Sequence, residues 1–254
     1  MIRGLIGMVH LGPLPGSARA VPLGETIERA VTDAGELVLA GFDALLIENF
    51  GDAPFHADDV PKITVAAMTR AVTAVFEAVA VPLGINVLRN DGLAALAVAA
   101  GTGASFIRVN VLSGSMNTDQ GPIVGKAAQV SRFKKAHAPE VVVLADVMVK
   151  HATPPPGLTI EQAASDLWER AGADGIVVSG PGTGRPLDRI ELDAVHGVIP
   201  KAPLYAGSGV TTDTIADVLE VCMGAIVGTA TKVDGITSNP VDPARAAAIV
   251  EAAK

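Results

Sequence analysis

The chain has 254 residues, of which 49% are hydrophobic but only 3% aromatic, and it carries a formal charge of -8 with a pI near 5.1. A net acidic surface attracts neither nucleic acid nor anionic membrane, so neither is expected as a partner. The single Cys222 excludes an internal disulfide, no apolar run reaches the about 18 residues of an integral membrane segment, and the first apolar run is too short for a signal peptide; a soluble, cytoplasmic protein is expected.

In chain order, short apolar runs predict eight strands, at residues 5–9, 44–47, 83–87, 106–109, 141–145, 175–178, 204–206 and 225–227. Helical patterns fall at 25–39, 60–78, 92–100, 123–136, 160–171, 187–195, 212–221 and 243–253. Strands alternating with helices call for a parallel α/β sheet, and right-handed crossovers let eight units of about 32 residues close into a (β/α)8 TIM barrel, a single domain over residues 1–254. A doubly wound open sheet is the rival. The strands are continuous apolar runs, as burial of both faces requires, and no G-x-G-x-x-G follows the first strand, which favours the barrel. Its Ala-rich outer helices predict a homo-oligomer.

In a barrel, polar residues at the C-terminal ends of strands face the active site. The first strand ends in His10, which is either a packed histidine or a catalytic one. The second ends in Glu48, a carboxylate desolvated enough for a raised pKa and hence for general acid or base work; its plainer role is to hydrogen-bond the next loop. The third delivers Asn86, then Arg89, suited to a bidentate grip on an anion, and Asp91, a helix cap. The fourth carries Arg108 and Asn110 on one side; a buried Arg needs a partner, either a ligand anion or Glu48 across the barrel. The loop at 112–122 is long and rich in donors, which favours a binding or lid loop with Asp119 and Gln120 as its chemical members.

The fifth strand leads to Asp146, Lys150 and His151, a triplet of acid, base and electrophile. Lys150 is open to three roles: surface charge, desolvated base or phosphate ligand, with Schiff-base chemistry weakly signalled. The sixth, seventh and eighth strands end in small-residue turns, Ser179-Gly180 continuing through residues 181–184, then Gly207-Ser208-Gly209, and Gly228-Thr229. Their amides can converge on one anion, at the place where barrels commonly bind phosphate. The five histidines lack H-x-H or H-E-x-x-H spacing, so no metal site is predicted, although Mg²⁺ held by Glu48 or Asp146 with a phosphorylated substrate stays open.

Several stretches then identify a resemblance: G-M-V-H-L-G-P-L-P-G-S from Gly7, L-L-I-E-N-F-G-D-A-P-F from Leu45, G-I-N-V-L-R-N-D from Gly84, F-I-R-V-N-V-L-S-G from Phe106, T-D-Q-G from Thr118, V-K-H-A from Val149, and G-S-G-V-T with A-I-V-G-T. In order over nearly the whole chain, they resemble the BtpA/SgcQ family. The resemblance implies a phosphate-binding TIM barrel, and the family takes its name from a photosystem I biogenesis factor. Cys222-Met223 and Thr214 depart from the family's usual Ala-Asp and Asn, away from the expected mouth. Glu48 with Asp52 is also similar to the acid pair of the tryptophan synthase α-chain.

The leading expectation is an enzyme acting on a small phosphorylated metabolite, a phosphosugar or nucleoside phosphate, by acid–base lyase or isomerase chemistry. Glu48 is its acid or base, with Asp146, Lys150 or His151 as counterpart and His10 nearby. Asn86, Arg89, Arg108, Asn110, Asp119, Gln120 and Ser179 bind substrate, and Gly180, Gly207, Ser208, Gly209, Gly228 and Thr229 hold phosphate. The alternative is a non-catalytic biogenesis or stability factor for a membrane protein complex.

Overall fold

The computed structural model describes residues 1–180 and 188–254. The chain runs β1 (Gly4–His10), α1 (Leu23–Ala40), β2 (Ala44–Glu48), α2 (Lys62–Ala78), β3 (Leu83–Asn86), α3 (Gly92–Thr102) and β4 (Phe106–Val109). It continues through β5 (Ser115–Thr118), β6 (Gly121–Val124), α4 (Ala127–His137), β7 (Val142–Val147), α5 (Ile160–Ser165), β8 (Gly175–Ser179), α6 (Arg189–Val198), β9 (Leu204–Ser208), α7 (Ile215–Leu219), β10 (Gly224–Val227) and α8 (Pro243–Ala252). Eight strands close a parallel barrel in the order β1-β10-β9-β8-β7-β4-β3-β2. All eight expected strands are present, and the open-sheet rival is excluded.

Alternation along each strand divides the core in two. Leu45 and Ile47, Ile107 and Val109, or Ile176 and Val178 point outward and pack in one large apolar cluster with the helices. Ile6, Met8, Leu46, Phe106, Leu144, Val177, Tyr205 and Ile226 fill the lower barrel interior instead. Two aromatic rings do most of that filling. A Cβ at Gly84 would overlap the Phe106 ring, and one at Gly175 would press on Tyr205 and Leu144; both glycines are room made for a neighbour. The Tyr205 hydroxyl donates to the Ile2 carbonyl at 2.7 Å, closing the barrel floor.

The next interior positions upward are polar: His10, Glu48, Asn86, Arg108 and Asp146 are all buried. The strand that carries Asp146 runs past the apolar expectation, to Val147, so this residue lies within the ladder, beside Val177.

Two expectations of local structure need correction. The helix expected from residue 123 begins at Ala127, because Gly121–Val124 pairs with Ser115–Thr118 as an antiparallel hairpin. The long loop after β4 is therefore an ordered hairpin, packed on Val111 and Val149 through Met116 and Ile123. The helix expected at 212–221 is only the five residues of α7. Residues 181–184 of the turn after β8 and the start of the helix expected at 187–195 lie outside the described residues.

The glycines separate by cause. In α1, a Cβ at Gly35 meets nothing within 4 Å, so Gly35→Ala is expected to stabilise by about 0.5–1 kcal/mol through backbone entropy. Gly84→Ala overpacks the Phe106 layer and is expected to cost about 1–3 kcal/mol. Urea unfolding of the two variants against the parent checks both signs; equal effects would remove the steric account of Gly84.

Candidate functional site

The polar upper layer opens into a cavity of about 890 Å³ at the C-terminal ends of the strands, within the range of small-molecule sites. It is lined by His10, Glu48, Arg89, Arg108, Asn110, Asp119, Lys150 and His151 together with Gly207, Ser208, Gly209, Gly228 and Thr229. These thirteen expected site residues come together from seven barrel strands or the loops beyond them.

Arg108 is held by a bidentate pair with Asp146, Nε donating to Oδ1 and Nη2 to Oδ2, each at 2.8 Å. Burial favours a neutral guanidine, but the Asp146 charge and hydrogen bonds outweigh it and lift the Arg108 pKa. The expected partner of Arg108, a ligand or Glu48, is thus corrected to Asp146. Asp146 does not line the cavity, and both of its oxygens accept from Arg108. Nor does it suit Mg²⁺, and the lining carboxylates among the described residues, Glu48 beside the cations Arg108, Lys150 and Arg89 and the exposed Asp119 on the hairpin, belong to no group of three that could hold a metal. This donor set does not fit a divalent cation.

Asn86 also lies beneath the cavity, its Nδ2 donating to the Arg108 carbonyl at 2.9 Å and to Asn110 Oδ1 at 3.0 Å. Ser179 sits under Gly207, where any Cβ would overlap its hydroxyl. Gly180 and Gln120 do not line the cavity either; the Gln120 amide turns to Asp119 on the hairpin tip. Asn86, Ser179, Gln120 and Gly180 thus lie outside the lining of the cavity.

Glu48 is 7% exposed, and although its carbonyl accepts from the Leu11 amide, its carboxyl has no hydrogen bond from another described residue. Burial raises its pKa, partly offset by Arg108, Lys150 and Arg89. His10 Nε2 is 3.9 Å from its Oε1, and the imidazole lies edge-on to Phe50. Burial, then the charges of Lys232 and Lys150, push the His10 pKa well below its ordinary value, so the pair is a neutral imidazole beside a carboxyl rather than an ion pair. Burial and then Arg108 lower the Lys150 pKa against the pull of Glu48 and Asp146. Burial and Lys150 lower that of His151.

Side chains tie the loops into this geometry. Asn49 Oδ1 accepts from the Leu88 amide at 2.7 Å, and Asn90 exchanges two hydrogen bonds with the Val111 backbone. Arg89 Nη2 donates to the Lys150 carbonyl at 2.8 Å. Asp52, which the sequence pairs with Glu48, instead accepts from the Leu14 amide at 2.8 Å and from Asn49. Asp91 caps α3 as expected.

The sequence missed the wall beyond β10. Thr229 Oγ1 lies 2.8 Å from Thr237 Oγ1, and Arg245, whose Nε donates to the Ala230 carbonyl, reaches the cavity from α8. That loop is pinned by a buried ion pair, Lys232 Nζ to Asp33 Oδ2 at 2.9 Å, while Asp33 Oδ1 accepts from the Val241 amide. An Asp on an outer helix facing a Lys about two hundred residues later leaves no local signal. Among the described residues no group of three or more His, Cys, Asp or Glu could hold a metal, and no helix is long and apolar enough to cross a membrane.

The family model described as BtpA family matches residues 1–254. The chain is 43% identical over 249 residues to the photosystem I biogenesis protein BtpA of Synechocystis, covering 98% of this chain and 87% of that one. In fold it is similar to tryptophan synthase of M. tuberculosis, with a TM-score of 0.62 at 19% identity over 99% of this chain and 92% of the other. It is similar likewise to N-(5'-phosphoribosyl)anthranilate isomerase of Pyrococcus furiosus, with a TM-score of 0.57 at 15% identity over 99% and 98%.

Two expected outcomes test this geometry. Asp146→Ala strands Arg108 as a buried charge and is expected to cost about 3–5 kcal/mol in urea unfolding. Below about pH 6.5 the unfolded chain protonates His10 while the folded one resists, so stability falls with pH by up to about 1.4 kcal/mol per unit. The raised pKa of Glu48 acts in the opposite direction, so the informative comparison is with His10→Gln. Between pH 7.5 and 5.5 the parent is expected to lose more stability than that variant; equal losses would mean that His10 protonates freely when folded.

Proposed function

The chain belongs to the BtpA family, and from that premise we propose that it binds a small phosphorylated metabolite, a phosphosugar or nucleoside phosphate, and acts on it by proton transfer as a lyase or isomerase. The observation that carries this reading is one cavity lined by two chemically distinct sets of groups. One includes Glu48, a buried carboxyl with no hydrogen-bond partner among the described residues, and the other is the backbone turns Gly207–Gly209 and Gly228–Thr229. Barrels commonly hold phosphate at those turns, and Gly209, at φ 74°, takes a left-handed conformation that turns the chain there. The Pyrococcus isomerase, by its name, acts on a phosphoribosyl compound.

In this reading Glu48 moves the proton, because burial raises the pKa of its carboxyl and so makes it a better base and a more readily protonated acid than an exposed one. Lys150 or His151 serves as its counterpart. Arg108, fixed by Asp146, and Asn110 orient the substrate at no cost in side-chain ordering.

The name of the Synechocystis relative favours a second reading, a non-catalytic biogenesis or stability factor for a membrane protein complex. Thermal unfolding with inorganic phosphate and a panel of phosphorylated sugars and nucleotides separates the two. A ligand at a hundred times its Kd stabilises by about 2.7 kcal/mol, or roughly 5–10 °C for a chain of this size. Such a shift, abolished by Thr229→Asp, is expected for at least one compound, and Glu48→Gln is expected to lower its turnover by at least about a hundredfold. Silence across the panel would favour the second reading.

A further inference from the structure

We propose that Lys150 is a nucleophilic amine that forms an imine with an aldehyde or ketone carbon of the substrate, so that the ligand class is a phosphorylated carbonyl compound. The inference rests on the function proposed above and narrows it. A lysine can bind an anion, pair with a carboxylate, or attack carbon when neutral and uncommitted. The surroundings of Lys150 decide among these.

Lys150 lines the cavity with Glu48 and Arg108, and its side chain makes no hydrogen bond or ion pair with another described residue. The carboxylate that could hold it as an ammonium, Asp146, is already taken on both oxygens by Arg108. The other, Glu48, is itself biased by burial toward its protonated form. The remaining charged neighbours, Arg108 and Arg89, are cations that oppose a second positive charge, while Asp119, on the hairpin tip, is exposed.

The backbone at Lys150 is also fixed in place. Its carbonyl accepts from Arg89 Nη2 at 2.8 Å. Met148 and His151, on either side, are both left-handed, at φ 48° and 57°, an uncommon conformation for such residues that aims the lysine locally. Val149 packs in the small cluster under the hairpin, and Asn117 and Thr153 exchange backbone hydrogen bonds at 2.9 and 2.8 Å. The segment is thus held at both ends with the amine in the cavity.

The chemistry balances with groups already present. The neutral Lys150 amine attacks the carbonyl carbon, a proton moves from nitrogen to oxygen, and a carbinolamine forms. Glu48, protonated, then gives its proton to that hydroxyl; water leaves, the C=N bond forms, and Glu48 is left as a carboxylate able to accept a proton from the substrate's adjacent carbon. The protonated imine withdraws electrons from that carbon, which is what a lyase or isomerase step needs.

Pyridoxal 5'-phosphate, an aldehyde that carries a phosphate, is a direct probe. The protein is incubated with it at pH 7, reduced with sodium borohydride, and the pyridoxyl group is mapped by peptide mass spectrometry. Lys150 is expected to be labelled at least about tenfold faster than the exposed Lys62, as a desolvated amine should be, at a rate that levels off below the pH range of an ordinary lysine, and inorganic phosphate should slow it. Labelling of Lys150 no faster than Lys62, or a rate that climbs through the ordinary lysine range, overturns the proposal. If phosphate raises the unfolding temperature while Lys150 stays unlabelled, the amine role alone falls. If Lys150 is labelled rapidly with no effect of phosphate, the amine role stands and the phosphate site falls.

Discussion

The pairing of Arg108 with Asp146 inside the barrel sets the chemistry of everything above it. An isolated guanidinium in a strand interior would carry a large desolvation penalty, and the two hydrogen bonds it donates at 2.8 Å to a 3% exposed carboxylate offset it. The pair takes up one of the two buried carboxylates that favour a charged Lys150. The Glu48 carboxyl and the Lys150 amine line the same cavity without a hydrogen bond among the described residues, each pushed by burial toward its neutral form. A proton can move between such groups with little change in net charge.

The lower barrel makes this arrangement affordable in volume. Phe106 and Tyr205 fill the floor because Gly84 and Gly175 leave them space, so the polar layer rests on packed apolar atoms instead of water. Above it, a chain of net charge -8 gathers Arg89, Arg108, Lys150 and Arg245 around the cavity, against Glu48 and Asp119 among the described residues. That local inversion of sign suits an anionic ligand in a way that the overall charge does not suggest.

Much of the site was legible because barrel geometry turns sequence order into position. Each apolar run ends where the next polar residue enters the mouth, so Glu48, Arg108 and Gly207–Gly209 were placed by counting from strand ends. Counting failed where strand length or side-chain partners intervened. Asp146 lies inside its strand, one step deeper than its apolar run suggested, and so meets Arg108 instead of a ligand. Asp52 has the right spacing from Glu48 but turns to the Leu14 amide. The hairpin after β4 was read partly as helix because its strands are short and its Gly-Pro step carries no helical or strand period.

The sequence by itself determined the eightfold alternation, the barrel and the strand-end polar residues, because apolar periodicity and the right-handed crossover are local rules. Only the tertiary structure decided which of those residues face the cavity and which serve each other. Pairings such as Arg108 with Asp146, Asn86 with Asn110 and Lys232 with Asp33 join residues from 24 to 199 positions apart. Charge state and orientation depend on those neighbours, and no local pattern encodes a partner brought near only when the barrel closes.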